Sequence, residues 1–140
     1  MPQKTFFITG ANSGFGLAIA QAALEAGHRV IGTVRSQTAR VSLLEQLPDV
    51  RVVLCDVTEF DRIPAIVAQA EEDHGPVDVL INNAGYGHEG VLEESPLEEM
   101  RRQFDVNVFG AVAIAKAFLP RFRERRSGFI VNVTSMGGLI

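Results

Sequence analysis

At 140 residues the chain has the length of one domain, able to bury roughly 70% of its unfolded surface. With 13 Lys and Arg against 17 Asp and Glu its net charge is -4, and its basic residues cluster only at Arg121-Phe122-Arg123-Glu124-Arg125-Arg126, a solvated helix end that excludes a nucleic-acid footprint. No tract of 18 apolar residues and no signal-peptide core precedes Thr9-Gly10, so neither membrane spanning nor secretion is indicated, and a lone Cys55 beside Val52, Val53 and Leu54 reads as a buried strand residue in a reducing cytoplasm.

The first predicted element is a strand, Phe6–Thr9, within the apolar run that begins at Lys4. Thr9-Gly10-Ala11-Asn12-Ser13-Gly14-Phe15-Gly16 follows at once and opens a helix over Gly16–Ala26, stopped by Gly27. Strand, glycine-rich turn and helix together make a nucleotide-pyrophosphate site. A diphosphate must reach bare backbone N–H groups at a helix amino end, where unpaired amides and the helix dipole favour negative charge. Gly10 serves the tight turn, Gly14 the close approach and Gly16 the packing of helix on strand.

Further along, Arg29–Val34 and Arg51–Cys55 read as strands, with a short helix over Ala39–Leu47 between them that ends before Pro48. Thr58 with Asp61 is expected to cap a third helix running to about His74, broken by Gly75-Pro76. A strand over Val77–Asn82 follows. Ser95-Pro96-Leu97-Glu98 then has the form of a capping box with proline at the first helical position, opening a long fourth helix. Met100, Phe104, Val108, Ala111 and Ala115 share one face of it, and Pro120 should kink or end it because it lacks the N–H for the Lys116 carbonyl. The last strand is Phe129–Thr134. Strands alternating with helices, mostly apolar on both faces, specify an α/β fold with a doubly wound parallel sheet and right-handed crossovers, one dinucleotide-binding domain over residues 1–140.

Ligands of such sheets lie at the carboxyl ends of the strands. Arg35 sits there, about 20 residues beyond the last motif glycine, where NAD-binding sheets carry Asp or Glu for the ribose hydroxyls. A guanidinium at that position pairs instead with a 2′-phosphate, which favours NADP(H) over NAD(H). Ser36 could add a hydroxyl bond and Arg40 is a weaker second candidate, the alternative being a solvated strand-end arginine. An acidic residue at the same place would be expected of a methyltransferase. Asp56-Val57 follows the third strand, and Asn82-Asn83-Ala84-Gly85 the fourth, small and amide-bearing residues suited to close approach of a cofactor.

Thr9-Gly-x-x-x-Gly14-x-Gly16, Asp56-Val57, Asn82-Asn83-Ala84-Gly85, Asn107 in the fourth helix and Ser135 after the fifth strand resemble, in order and spacing, the short-chain dehydrogenase/reductase family. The resemblance spans essentially the whole chain and fits the oxidoreductase branch. It implies a Rossmann-like sheet in the order 3-2-1-4-5, truncated after strand five. By that resemblance Thr9, Gly10, Asn12, Ser13, Gly14, Phe15 and Gly16 cradle the pyrophosphate, and Arg35 reads the 2′-phosphate. Asp56 and Val57 border the adenine, and Asn83, Ala84 and Gly85 line the ribose and nicotinamide side. Asn107 is then the helix residue of the proton relay, and Ser135 holds the carbonyl or hydroxyl of a small-molecule substrate.

The family's tyrosine, about thirteen residues beyond that serine with a lysine four further on, has no counterpart here. The only tyrosine is Tyr86, with Gly90 four residues on, and the lysines are Lys4 and Lys116. The chain is therefore expected to be the amino-terminal part of an NADP(H)-dependent carbonyl reductase or alcohol dehydrogenase, inactive alone. The alternative is a nucleotide-binding or partner-associating module without turnover, and a Tyr-x-x-x-Lys beyond Ile140 would decide between them. Only Tyr86–Gly90 and Met136–Ile140 are left to shape a substrate pocket. Phe15 is similar to members acting on steroid- or retinoid-like alcohols, though an aromatic at a helix start is read first as core packing. His88 reads as a turn residue and no metal spacing is evident. An unblunted fifth strand at the sheet edge and a face through Phe104, Val108 and Phe118, which the family packs against a partner subunit, predict a homo-oligomer.

Overall fold

A computed structural model describes residues 2–138. Five strands, β1 (Thr5–Ile8), β2 (Arg29–Val34), β3 (Arg51–Leu54), β4 (Val79–Asn82) and β5 (Phe129–Asn132), form one parallel sheet in the order β3-β2-β1-β4-β5. Register is set by pairs such as Phe7 with Ile31 and Leu80, and Ile81 with Val131. Ladder bonds continue one residue past several strands, as where Cys55 N donates to Val34 O and Val133 N to Asn82 O, so the strand ends differ from the expected ones by little.

Alternate residues of each strand point to opposite faces, and each face is buried by a pair of helices. Helices α1 (Gly14–Glu25) and α2 (Gln37–Gln46) bring Ala20, Ala23 and Leu43 onto Ile8, Val30 and Ile81. On the other side α3 (Ile63–His74) and α5 (Ala111–Arg125) bring Ile63, Val67, Ile114 and Phe118 onto Phe7, Ile31 and Leu80. The rings of Phe7 and Phe118 meet edge to face at 4.9 Å. Cys55 is buried as expected, and loss of hydration, with Asp56 and Glu59 nearby, pushes its thiol up to about 11.

Local signals gave way to packing at three helix boundaries. Thr58 does not cap a helix, because Asp56 Oδ1 accepts from both its N–H (2.9 Å) and its hydroxyl (2.7 Å), and a 3-10 turn over Phe60–Arg62 leads into α3 instead. The capping box at Ser95 is not formed. Pro96 takes the cap position of α4 (Leu97–Phe104), while Ser95 Oγ donates to Val91 O at 3.0 Å and lies 3.1 Å from His88 Nε2. Pro120 neither ends nor breaks α5, which runs on to Arg125 with Phe118 and Phe122 fixed in the core on either side of it. The irregularity lies earlier, in a π-helical stretch over Asp105–Gly110 that joins α4 to α5.

The basic cluster is only partly a solvated helix end. Arg125 Nη2 and Arg121 Nη1 each reach a carboxylate oxygen of buried Glu71 on α3 at 2.9 Å, and Glu71 Oε2 accepts from Val77 N at 2.7 Å. Burial would raise the Glu71 pKa, but the bonds from Arg125, Val77 N–H and Arg121 hold it below the ordinary carboxylate value. This network ties α3, α5 and the start of β4 together at the amino end of the sheet.

Candidate functional site

At the carboxyl end of the sheet, the turn after β1 is held against the loop after β4 by side chains rather than by ladder bonds. Thr9, 1% exposed, accepts through Oγ1 from Asn83 N (3.0 Å) and Ala84 N (2.9 Å). Asn83 Nδ2 returns the contact, donating to Thr9 O and Gly10 O at 3.1 Å each. Thr33 on β2 takes the other side of the turn, with Oγ1 accepting from Gly10 N (3.3 Å) and its carbonyl from Ala11 N (3.0 Å). Thr33 was not among the expected site residues, since a threonine inside a β-branched strand gives no sequence signal of its own.

The glycines divide the work between conformation and space. Gly10 and Gly14 have φ of 64° and 56°, the left-handed region that costs other residues strain, and a Cβ on Gly14 would meet nothing within 4 Å. Gly16 is needed for contact, because a Cβ there would run into Gly10 O and Asn83 Nδ2. No side chain caps the amino end of α1, whose N-cap residue Ser13 is exposed beside half-buried Asn12. Unpaired amides beside an open Gly14 are the donor set a diphosphate requires, so the residues present fit that group. Phe15 is 74% exposed at this rim, which corrects its reading as core packing.

Asn107 lies in the π-helical stretch and faces the loop after β4. Its Oδ1 accepts from Tyr86 N at 2.9 Å and its Nδ2 donates to Tyr86 O at 2.7 Å. A Cβ on Gly85 would stand 3.0 Å from Asn107 Oδ1, so the small residue lets the helix side chain reach the loop. Short π segments inside longer helices are frequent at functional sites, and here one aims an amide at the main chain of the loop after β4. Ser135 lies on the exposed loop after β5, where its Oγ accepts from Gly137 N at 3.2 Å and keeps its own hydrogen free to donate. It makes no hydrogen bond to Asn107 or to the loop after β4. Of the expected pocket segment Met136–Ile140, positions 139 and 140 lie outside the described residues.

Beyond the end of β2, Arg35 and Asp56 share a cleft of about 400 Å³ with Glu98, Arg101, Arg102 and Asp105 of α4 and its continuation. Burial alone would raise the Asp56 pKa. The bonds from Thr58 and the charges of Arg35 and Arg102 bring it below the ordinary value, so Asp56 is an anion in this cleft at neutral pH. The Val57 side chain does not line it, being buried in the core against Gly110, so only its main chain could border a ligand. Ser36 Oγ accepts from Ala39 N at 3.1 Å as the cap of α2. Among the described residues no cluster of His, Cys, Asp and Glu could hold a metal, and no helix is long and apolar enough to cross a membrane.

Residues 4–140 match the family described as short chain dehydrogenase. Over 140 residues the chain is 41% identical to a 3-ketodihydrosphingosine reductase of Bacteroides thetaiotaomicron, covering 100% of this chain and 50% of that protein. A solved short-chain dehydrogenase from Streptomyces avermitilis superposes with a TM-score of 0.90 at 43% identity, over 99% of this chain and 50% of that one. An actinorhodin polyketide ketoreductase variant solved with NADPH superposes with a TM-score of 0.92 at 34% identity, over 99% and 55%. The chain spans about half the length of the curated relatives it matches.

Proposed function

The chain belongs to the short-chain dehydrogenase family, and we propose that it is the cofactor-binding half of an NADP(H)-dependent oxidoreductase interconverting a carbonyl and an alcohol. The observation that carries this reading is the uncapped amino end of α1, bounded by Gly10 and Gly14 and held to the β4 loop by the Thr9–Asn83 contacts. Thr9 and Asn83 fix the turn, and the unpaired amides at the amino end of α1 would hold the diphosphate. Arg35 at the end of β2 supports the choice of the 2′-phosphorylated cofactor, as do solved relatives with NADP or NADPH bound. Asp56 and the main chain of Val57 would border the adenine, and Asn83, Ala84 and Gly85 the nicotinamide side.

When bound, the nicotinamide supplies or accepts the hydride. Ser135 donates its free hydroxyl hydrogen to the substrate oxygen and orients it, while Asn107 fixes the Gly85–Tyr86 backbone beside it. Protonation of the developing alkoxide needs a general acid that neither Tyr86 nor any lysine in these residues supplies by position, so the 140 residues bind cofactor without turning substrate over. A second copy covers the exposed face of Phe104, Val108 and Phe109, and the lone buried thiol of Cys55 suits the cytoplasm.

Titration of the purified chain with NADPH and NADH, followed by nicotinamide fluorescence, tests the reading. NADPH should bind more tightly, and Arg35→Glu should reverse the order by about 2–3 kcal/mol, the scale of a hydrogen bond to a charged group. Equal affinities in the unaltered chain overturn the cofactor assignment.

A further inference from the structure

The cleft beyond β2 has two basic walls, and the sequence pointed to only one. Arg35 forms the β2 side, while Arg101 and Arg102 of α4 form the other, with about 400 Å³ between them. That volume falls within the range of about 300–1,000 Å³ typical of small-molecule sites. The three arginines are balanced in number by Asp56, Glu98 and Asp105, so any preference for an anion must come from local geometry rather than from net field. Among the described residues none of the three guanidinium groups has a carboxylate at ion-pairing distance. Asp56 is instead engaged by Thr58, through its N–H and hydroxyl.

Arg102 is further distinguished by its support. Its Cζ stands 6.0 Å from the centroid of the Tyr86 ring, a cation–π distance, and Tyr86 is itself held by both amide atoms of Asn107. Arg102, Arg35 and Asp56 line the same cleft, and the charge of each arginine helps to lower the Asp56 pKa. Two planar forks with unused donors suit a phosphate, whose three acceptor oxygens can engage both; a ribose diol brings no charge to offset them.

We propose that Arg102 is a second specificity-determining residue for the 2′-phosphate, engaging it from the wall opposite Arg35. The inference rests on the NADP(H) reading above.

Calorimetric titration of the full chain with 2′,5′-ADP and with 5′-AMP separates the two claims, because the ligands differ in the 2′-phosphate alone. Arg102→Ala should weaken 2′,5′-ADP about tenfold and leave 5′-AMP within about twofold, and Arg102→Lys should recover part of the loss because it keeps the charge without the fork. If Arg102→Ala leaves 2′,5′-ADP unchanged, or weakens both ligands equally, while Arg35→Ala weakens 2′,5′-ADP alone, the proposal falls and the cofactor reading stands. If the unaltered chain does not distinguish the ligands, the cofactor reading falls and the Arg102 proposal with it.

Discussion

Asn107 grips the main chain of Tyr86 at both polar atoms, accepting from its N–H at 2.9 Å and donating to its carbonyl at 2.7 Å. The side chain is thereby committed to holding the β4 loop onto the helix.

Asn107→Ala should therefore loosen the loop before it affects anything else. Two exposed hydrogen bonds are lost, which should cost about 1–2 kcal/mol at the usual net value per bond. Hydrogen exchange at the Tyr86 amide should accelerate, while amides of β1 and β2 keep their protection. Unchanged exchange at Tyr86 would mean that the clamp does not order the loop.

Gly16→Ala asks for space that does not exist, since the new methyl would overlap Gly10 O and Asn83 Nδ2. The turn and the β4 loop must part, at about 1–3 kcal/mol for overpacking. Gly14→Ala meets no neighbour within 4 Å, so its cost is conformational alone. Thermal melting should show both variants destabilised, but only Gly16→Ala should break the Asn83 Nδ2 contacts, seen as a shifted side-chain amide resonance. An undisturbed Asn83 in that variant would sink the close-packing account.

Glu71 should make stability depend on acid. Its folded pKa lies below its ordinary value of 4.5, so its contribution is complete above that pH and disappears as pH falls through the lowered folded value. Glu71→Gln should cost about 2–4 kcal/mol at pH 7, towards the lower range for a broken buried pair because both arginines are about one-third exposed. Urea melts from pH 7 downwards should show the gap between wild type and variant narrowing below pH 4.5. A gap independent of pH would remove the ion pairs as its cause.

We propose that a second copy covers the α4–α5 face. Phe104, Val108, Phe109 and Val112 are exposed there, in the same helical run whose inner side buries Ile114 and Phe118. Sedimentation at micromolar concentration should show a dimer or larger species, and Phe109→Asp should shift it towards monomer without altering the melt of the fold. A monomeric wild-type chain would count against this assembly.

Phe118 shows how far the periodicity could be followed. The sequence grouped it with Phe104 and Val108 on one face, but the π stretch over Asp105–Gly110 changes the helical phase between them. Phe118 then packs on Phe7 at 0% exposure while Phe104 and Val108 face out. Nothing in a local window announces that shift, and the stretch is where Gly110 packs onto Val57 and Asn107 meets Tyr86, residues distant in the chain.

The sequence by itself determined the five strands, with their order supplied by the family resemblance, along with the tight turn at Gly10 and the close packing at Gly16. These follow from signals carried within a strand, a helical turn or a glycine's own φ, and a family's motif order extends them. The tertiary structure decided what depends on residues distant in the chain. It turned Arg121 and Arg125 from solvated charges into partners of Glu71, drew Thr58 to Asp56 and Ser95 to Val91 instead of capping helices, and set Arg102 across a cleft from Arg35. A side chain's choice between water, its own backbone and a remote partner is settled only when packing fixes which of them is within reach.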